Sequence, residues 1–563
     1  MISDLVRSLL FKRGVEKDED IQAFLSPDYA THTHSPFLMA GMEVAVVRVL
    51  HAIEKGERIA IYADFDCDGI PGAAILHDLF KKIGYDNVEI YIPHRDREGY
   101  GFHIEAIEKL VAQGVALIIT VDVGTKANNA VAFAKRLGVD VIVTDHHEID
   151  SELPNAVAVL NPKIVPPALS GVDGYPFPHL CGAATAWKLA QALLIEGKKR
   201  DLEAFSAIPE GWEKWLLDLV AIATVADLVP LTGENRVLTH WGLKVLRKSP
   251  RPGIIALCSA LRINRAYIDE TDVAFSFAPR INAASRMDSP ELAFELLTTA
   301  DSVRAEELAL KLESLNRSRK GVVAGIVKDA KKKVHARFGA EDRVVVLGDP
   351  DWKPSLLGLA ANSIVEERGG AAVLWGRDGL GKLKGSARSD GSISIVELFS
   401  RSGAFVEYGG HRASGGFTIS TEAIHTLPEV LKQVAAQLDN APKEEEVPND
   451  AIVTLREISL ALLKDVSQLA PFGIGNAKPI FRIPRVRITH VRRFGKEGNH
   501  TEVSLICSET GTAHRAFQFF KAPEHFSTMP VPDMQADILA TMERDTYRGP
   551  DRMALRLVDI LAS

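Results

Sequence analysis

Three aspartates stand on alternate positions directly after an apolar stretch of strand character, in the sequence IAIYADFDCDGI at 59–70. Asp64, Asp66 and Asp68 repel one another, at about 1 kcal/mol per pair at contact distance in water and by more when they are dehydrated. A fold tolerates that repulsion where a cation lies among the carboxylates, and hard divalent ions prefer such oxygen ligands. An acidic surface turn would have the same composition, so this stretch alone leaves both interpretations open.

Two further apolar stretches also end in residues that can bind a metal. Asp122 ends LIITVDVG, and Asp145, His146 and His147 end VIVTDHH. Apolar strands that alternate with helical patterns predict βαβ units and a parallel sheet covered on both faces. In such sheets ligands bind beyond the carboxyl ends of the strands, so these acids and histidines should meet at one edge. A helix N-cap would explain one of the aspartates singly but not the whole set, and we therefore predict a metal site.

Asp227 is a further candidate ligand, because it lies within the apolar sequence WLLDLVAIATVADLVPL at 215–231. An unpaired buried carboxylate is expensive, so this side chain needs a partner. A shared metal ion would provide one, and a salt bridge to an arginine would provide another.

Two segments later in the chain have the composition of phosphate-binding sites. In FAPRINAASRMDSP, the guanidinium groups and the neighbouring polar residues suit phosphate oxygens, although a structural arginine that links helices is an equal alternative. In EYGGHRASGGFTIS, glycine pairs flank a histidine–arginine step, which predicts a loop whose backbone N–H groups approach a phosphate closely, whereas a tight structural turn is the alternative. The candidate residues are Arg280, Asn282, Ser386, Arg388, Gly409, Gly410 and His411.

Composition restricts the class of protein. The chain has 563 residues, no apolar stretch long enough for a membrane span and no signal-peptide layout, and its four cysteines form no CxxC pair. These features predict a cytoplasmic multidomain protein without structural zinc or disulfides. The formal charge of −8 speaks mildly against nucleic acid, but net charge hides local patches.

Pattern changes along the chain predict its domains. The strands after residue 451 alternate in hydrophobicity without a long helix, as in a small Greek-key barrel of OB type. Basic and aromatic residues in this region suit the binding of single strands, with a solvated basic sheet edge as the alternative: Arg482, Arg485, Arg487, Arg492, Arg493, Lys496, Phe481, Phe494, Phe517, Phe519 and Phe520. The predicted segments are an N-terminal lead-in at 1–40, a first α/β domain at 41–300, a connecting helix at 301–338, a second α/β domain at 339–440, a linker at 441–450 and the barrel at 451–563.

Several of these motifs, in this order, resemble the RecJ-type single-strand-specific exonucleases of the DHH phosphoesterase superfamily. The motifs are DFDCDG at 64–69, VDVG at 121–124, TDHHE at 144–148, ATVADLVPL at 223–231, RINAASRM at 280–287, YGGHRASGGF at 408–417 and PFGIGNAKPIF at 471–481. The resemblance implies an α/β fold: a DHH-type parallel-sheet domain joined by a long helix to a smaller α/β DHH-associated domain, followed by a C-terminal OB-type β-barrel.

The resemblance also implies roles for individual residues. Asp66, Asp68, Asp122, His146 and Asp227 would be metal ligands, with Asp122 between two ions and Asp64 a ligand or a close neighbour. Asp122 and His147 would be catalytic, the latter by orienting a ligand or the phosphate. The candidate phosphate-binding residues named above would hold the phosphate or the end of the strand. Cys67, Lys353 and Ser355 depart from the residues usual in the family, without removing a metal ligand.

By the same resemblance, the activity would be removal of mononucleotides from single-stranded DNA in the 5′-to-3′ direction, in DNA repair and recombination. Carboxylate-rich ligation with one histidine favours two manganese or magnesium ions over zinc. A helicase and a single-strand-binding protein would be partners of a monomer that does not engage a membrane. The alternatives are a phosphodiesterase for short oligonucleotides or cyclic dinucleotides and a strand-binding protein with a degenerate active site.

Overall fold

The computed structural model describes residues 2–149, 152–165, 174–339, 341–438, 449–495, 498–507, 510–545 and 552–562. The chain divides into two compact units, a larger one of residues 34–229 and 241–443, and a smaller one of residues 1–33, 230–240 and 444–563. Most of the predicted linker at 441–450 and Lys496 of the predicted basic set lie outside the described residues.

The strands and helices are numbered in chain order. The strands are β1 Arg58–Ala63, β2 Val88–Tyr91, β3 Val115–Val121, β4 Asp140–Thr144, β5 Ala158–Leu160, β6 Val344–Gly348, β7 Ala371–Arg377, β8 Leu383–Ser389, β9 Glu407–His411, β10 Ser414–Ile419, β11 Ala451–Ile452, β12 Phe481–Phe494, β13 His500–Ile506, β14 Ala513–Gln518, β15 Gln535–Arg544 and β16 Met553–Ala562. The α-helices are α1 Asp4–Phe11, α2 Asp18–Leu25, α3 Tyr29–His32, α4 Met42–Lys55, α5 Gly69–Lys82, α6 Ile104–Ala112, α7 Asn128–Arg136, α8 Gly182–Lys199, α9 Glu203–Ser206, α10 Leu217–Ala226, α11 Gly233–Leu246, α12 Pro252–Leu261, α13 Glu270–Asp272, α14 Ala278–Met287, α15 Glu291–Thr298, α16 Ser302–Arg337, α17 Pro354–Arg368, α18 Ile395–Ser402, α19 Leu427–Gln437 and α20 Leu460–Val466.

The first sheet of the larger unit is parallel throughout, with strand order β2-β1-β3-β4-β5, as the alternation of strands and helices predicts. Its register aligns the carboxyl ends of the central strands. Ala63 pairs with Val121, and Val121 pairs with Thr144. The acidic stretches that follow these strands therefore begin at the same edge of the sheet.

Helix α16 runs through 36 residues and confirms the predicted connecting helix. The Asp301 side chain caps its first turn by accepting hydrogen bonds from the backbone N–H groups of Val303 at 2.8 Å and Arg304 at 3.3 Å. Beyond it lies a second sheet of order β6-β7-β8-β10-β9.

The glycine-rich segment of this second sheet is not the loop that the sequence predicts. It folds as a hairpin, in which β9 pairs antiparallel with β10 and Gly409 faces Gly416. Glycine pairs on both strands mimic loop composition, but here the absence of side chains allows close contact between backbones: a Cβ on Gly410 would lie 2.3 Å from the carbonyl oxygen of Ser414.

The smaller unit contains the closed barrel that the C-terminal strands predict. Its strands follow the order β12-β13-β14-β16-β15, and β15 pairs back onto β12. The N-terminal helices share its hydrophobic core, where Val6, Leu9 and Leu10 pack with Phe481 and Ile538. Residues 1–33 are therefore part of this unit.

Within the described residues, none of the single helices has the length and apolar composition needed to cross a membrane. A bent pair, Tyr29–Leu38 with Met42–Lys55, meets the combined criterion by length and composition alone.

Candidate metal centre

The acidic stretch after β1 forms a tight loop that leads into α5. The Asp66 side chain turns back on this loop, where its Oδ1 accepts hydrogen bonds from the backbone N–H groups of Asp68 at 2.8 Å and Gly69 at 3.2 Å. A Cβ on Gly69 would lie 2.4 Å from the carbonyl oxygen of Asp64, so only glycine fits this position. Asn282 holds the same loop from outside, by accepting the backbone N–H of Cys67 at 3.0 Å.

The strand ends bring the predicted ligands together. His146 Nε2 lies 3.2 Å from Asp122 Oδ1 and 3.6 Å from Asp68 Oδ2. The same nitrogen lies 3.6 Å from Asp227 Oδ2, and Asp227 makes no ion pair with an arginine among the described residues. Three groups have ligand atoms within 4.8 Å of one another: Asp122 with His146 and His147, Asp68 with His146 and Asp227, and Asp64 with Asp66 and Asp122.

Burial and mutual repulsion make the ionised form of this cluster unfavourable. Burial, followed by the charge of Asp66, raises the pKa of Asp68 to about 6. Burial also raises the pKa of Asp122 well above its ordinary range, and the charge of Asp68 adds to this effect. The pKa values of Asp64 and Asp227 are shifted in the same direction, again mainly by burial. Without a cation, the chain therefore carries four carboxylates that resist ionisation.

Two buried carboxylate oxygens supply a direct test of whether a cation fits. Asp64 Oδ1 and Asp122 Oδ1 accept no hydrogen bond from any described part of the chain. A buried oxygen without a hydrogen-bond partner is costly. Convergent carboxylate oxygens are the ligands that hard divalent ions prefer. The residues present therefore fit one or two divalent ions, with Asp122 shared between the two ligand groups that contain it.

The two histidines have different environments. Burial, and then the neighbouring His147, lower the pKa of His146 to about 4, so its ring is neutral at pH 7 and can donate a lone pair to a metal. Burial opposes protonation of His147 as well, but the Asp145 carboxylate at 2.7 Å from its Nδ1 raises the pKa of His147 above its ordinary value. Asp145 thus fixes the orientation of the second ring and favours its charged form.

The amino-terminal end of α8 contacts the acidic cluster through Asp68. The backbone N–H groups of Gly182 and Ala183 donate to the two oxygens of Asp68, at 2.6 Å and 2.7 Å. Both groups belong to the first turn of the helix, where N–H groups have no partner within the helix. The helix therefore orients Asp68 through both carboxylate oxygens.

Buried guanidinium groups lie next to the acids. Burial, followed by the charges of Arg95 and Arg319, lowers the pKa of Arg286 well below its ordinary value, while Asp66 opposes this shift. The Arg95 guanidinium stacks over Phe65 at 4.5 Å from the ring centroid and is influenced by Asp64 and Asp66. Several buried positive charges that repel one another beside an acidic cluster are suited to hold an anion such as phosphate.

The segment at the start of α17 holds Arg286 in place. Arg286, on α14, donates to the carbonyl oxygen of Ser355 at 2.5 Å. Lys353 lies just before α17, donates to the carbonyl oxygen of Arg286 at 2.6 Å and pairs with Asp96 at 2.8 Å. Lys353 thus joins the loop after β2 to α14, whereas Ser355 holds Arg286 through its backbone carbonyl.

The predicted phosphate-binding residues have varied surroundings. Arg280 pairs with Glu313 at 2.9 Å and donates to the carbonyl oxygens of Phe275 and Ser276, as a structural arginine does. Arg388 donates to Ser386 Oγ at 3.0 Å, so these two lie together on β8. The side chain of Asn282 contacts the acidic loop, and Gly409, Gly410 and His411 lie exposed on β9. Their roles toward a substrate stay predictions.

Sequence reasoning missed the roles of Arg95 and of the start of α8. Arg95 follows β2 at the same sheet edge as the acids, so the rule that directed attention to Asp122 would also have found it. No comparable signal marks Gly182, because its contact with the cluster comes from a segment more than 100 residues after the acidic loop.

Family models match three parts of the chain. The DHH family N-terminal domain matches residues 58–224, the DHHA1 domain matches residues 341–438 and the RecJ OB domain matches residues 449–559. The first two matches lie in the larger unit and the third lies in the smaller one.

Curated relatives resemble the chain over most of its length. The chain is 35% identical to the single-stranded-DNA-specific exonuclease RecJ of Bacillus subtilis over 510 residues, which cover 90% of this chain and 62% of that protein. It is 30% identical to the enzyme of the same name from Haemophilus influenzae over 574 residues, which cover 100% of this chain and 96% of that protein. The chain thus spans less than two thirds of the Bacillus relative and nearly all of the Haemophilus one.

A solved structure agrees with the fold as a whole. RecJ from Thermus thermophilus, in complex with Mn²⁺, superposes with a TM-score of 0.79 at 25% identity, covering 100% of this chain and 76% of that one. A crystal structure of exonuclease RecJ bound to manganese gives a TM-score of 0.59 at 30% identity, covering 71% of this chain and 96% of that one. The predicted α/β fold with its OB-type barrel is confirmed, and the chain belongs to the RecJ family of the DHH phosphoesterase superfamily.

Proposed function

We propose that the protein is a metal-dependent exonuclease that hydrolyses phosphodiester bonds of single-stranded DNA, from the 5′ end and with release of mononucleotides. The observation that carries this proposal is the cluster of buried carboxylates and a neutral histidine at one sheet edge, with two oxygens that lack hydrogen-bond partners in the described structure. The similarity of the chain, over nearly the full length of both proteins, to the single-stranded-DNA-specific exonuclease RecJ of Haemophilus influenzae supports single-stranded DNA as the substrate.

The proposed cofactors are two manganese or magnesium ions. The residues that would hold them are Asp66, Asp68, Asp122, His146 and Asp227, with Asp64 as a ligand or close neighbour. Divalent ions in such a site activate water for attack on phosphorus and neutralise the charge of the phosphate. The binding of Mn²⁺ and Mg²⁺ by Thermus RecJ supports this choice of ions.

The side chains around the acids account for substrate orientation. Asp145 raises the pKa of His147 and so favours the protonated ring. This ring would donate a hydrogen bond to the phosphate or a proton to the leaving oxygen. Arg286 and Arg95 supply positive charge in a buried setting, where an ion pair with phosphate is stronger than in water. We assign the same role to Arg388 with Ser386, which lie on the second sheet of the same unit.

The barrel offers a separate surface for the strand. Phe519 and Phe520 are exposed at the end of β14, and Arg556 lies over the Phe519 ring at 4.6 Å from its centroid. Exposed aromatic rings next to arginines bind single strands by stacking and by charge. A short-oligonucleotide or cyclic-dinucleotide phosphodiesterase needs no such surface, so this alternative is not favoured.

Location and partners complete the proposal. The four cysteines are free and buried, which suits a reducing cytoplasm. Family resemblance suggests a helicase and a single-strand-binding protein as partners. It also suggests that the protein is a monomer.

The test is digestion of end-labelled single- and double-stranded DNA with Mn²⁺, with Mg²⁺ and with EDTA. We expect release of the 5′-terminal nucleotide from single strands only, and only with a metal present. Release from the 3′ end, or equal cleavage of duplex, would refute the assignment.

A further inference from the structure

We propose that Gly182 is a positioning residue for the metal centre, because its missing side chain leaves the space in which Asp122 stands beside Asp68. This inference rests on the proposed metal-dependent function. It assigns a task to a residue that has no side chain with which to bind an ion.

Asp122 fills the space where a side chain at position 182 would begin. A Cβ built on Gly182 would lie 2.6 Å from Asp122 Cβ, 2.7 Å from Asp122 Oδ1 and 2.8 Å from Asp122 Cγ. Real Cβ atoms do not approach other atoms so closely, so alanine at 182 requires Asp122 or the start of α8 to shift, and either shift changes how the two acids are held. The atom at 2.7 Å is the carboxylate oxygen that accepts no hydrogen bond from the described residues.

Asp122 has little freedom to move without losing its place. Its backbone has a φ of 61°, in the left-handed region that a residue with a side chain rarely adopts, and its N–H donates to the carbonyl oxygen of Thr144 at 2.9 Å. The residue is thus held by the strand end on one side and by Gly182 on the other. Displacement of its carboxylate would change both ligand groups to which it belongs.

Gly182 also connects the two acids. Its backbone N–H donates to Asp68 Oδ2 at 2.6 Å, while Asp122 occupies the space that a side chain at 182 would need. Helix α8 packs closely against α5 at this point because α5 has a glycine, Gly72, there. A Cβ on Gly72 would lie 2.5 Å from Val121 Cγ1 and 3.1 Å from the α-carbon of Ala183. One glycine therefore orients Asp68 through a hydrogen bond and admits Asp122 through the absence of a side chain.

The first measurement is Mn²⁺ binding to the full-length protein by isothermal titration calorimetry. For Gly182→Ala we expect Mn²⁺ affinity at least tenfold weaker than for the parent protein, and single-strand affinity in EDTA within a factor of two. The matched control is Gly325→Ala on α16, where a Cβ meets nothing within 4 Å, and it should leave Mn²⁺ affinity unchanged. Exonuclease activity of Gly182→Ala should recover as the Mn²⁺ concentration is raised.

The second measurement assigns the effect to the contact with Asp122. Thermal unfolding in EDTA is compared for Gly182→Ala in the parent chain and in an Asp122→Gly background, since glycine accepts the left-handed φ at 122 and removes the atoms that the new Cβ would meet. We expect Gly182→Ala to lower the midpoint in the parent chain and to have no effect in the second background. If Gly182→Ala alone does not fold, folding of the double variant supports the same contact.

Different results separate this inference from the function on which it rests. Failure of the parent protein to bind Mn²⁺ would refute the proposed metal dependence. Mn²⁺ binding by the parent and equal binding by Gly182→Ala would refute the positioning role alone. An equal loss of thermal stability in both backgrounds, or failure of both variants to fold, would also refute it.

Discussion

Neutralising Asp122 should stabilise the metal-free protein, although it destroys the site. The substitution Asp122→Asn keeps the size of the side chain and removes one of several repelling charges. It breaks no hydrogen bond at Oδ1, because that oxygen accepts none from the described residues. We therefore expect a higher free energy of unfolding for Asp122→Asn in EDTA at pH 8, and a loss of the stabilisation that Mn²⁺ gives to the parent protein.

The magnitude follows from the spacing of the acids. The ligand atoms of Asp64 and Asp66 lie within 4.8 Å of that of Asp122, where two charges repel by about 3 to 4 kcal/mol at an effective dielectric constant of about 20. The acids escape part of this repulsion by taking up protons. The rise of the Asp68 pKa from 3.8 to about 6 corresponds to about 3 kcal/mol for one carboxyl. We expect Asp122→Asn to raise the free energy of unfolding in EDTA by about 2 to 4 kcal/mol, which raises the unfolding midpoint by several degrees.

The assay is calorimetric unfolding in EDTA, with Asp145→Asn as the matched control. Asp145 stands at the same sheet edge but pairs with His147 at 2.7 Å and accepts the backbone N–H of Thr125 at 2.8 Å. Its pKa is lowered, although burial opposes this, so its charge stabilises the fold and Asp145→Asn should lower the midpoint. If Asp122→Asn lowers the midpoint as well, repulsion does not dominate this cluster and the reasoning fails.

Three further predictions concern pH, the barrel and the buried charges. Folded Asp68 keeps its proton up to about pH 6 whereas the unfolded carboxyl loses it near 3.8, so the metal-free protein should lose about 3 kcal/mol of stability between pH 3 and pH 8; a flat profile of unfolding midpoints in EDTA would contradict this. Phe520→Ala should weaken single-strand affinity by about 1 to 3 kcal/mol in a fluorescence-anisotropy titration, whereas Phe11→Ala, also exposed in the smaller unit, should not, and equal affinities would argue against stacking. Arg251 donates to buried Asp218 at 2.9 Å, so Arg251→Met should cost about 3 to 5 kcal/mol in urea unfolding, and a neutral result would show that the pair is dispensable.

The fold was largely predictable because its signals are local. Apolar strands, helical periodicity and acids at strand ends lie within short stretches, and the parallel sheet with the register of Ala63, Val121 and Thr144 follows from them. The predicted ligands meet for the same reason. Helix α16 was equally predictable, since one periodic pattern continues through its 36 residues.

What the sequence could not supply depends on distant contacts and on ambiguous composition. Gly182 meets Asp122 only because α8 returns to the sheet edge, and no spacing rule connects these positions. The segment around Gly409 was misread as a loop because glycine pairs also serve where two strands pack closely, as Gly410 does against Ser414. For Arg280 the sequence left phosphate binding and a structural role equally open, because its pair with Glu313 on α16 depends on tertiary contacts.

The most direct test of the central claim is the rate of nucleotide release from 5′-labelled single-stranded DNA by Asp122→Asn, at saturating Mn²⁺, with strand binding measured on the same sample. We predict that the rate falls by about a thousandfold or more, since removal of a shared ligand disables both ligand groups, while strand affinity stays within about threefold of the parent protein. A rate equal to that of the parent protein would show that the acidic cluster is not the active site.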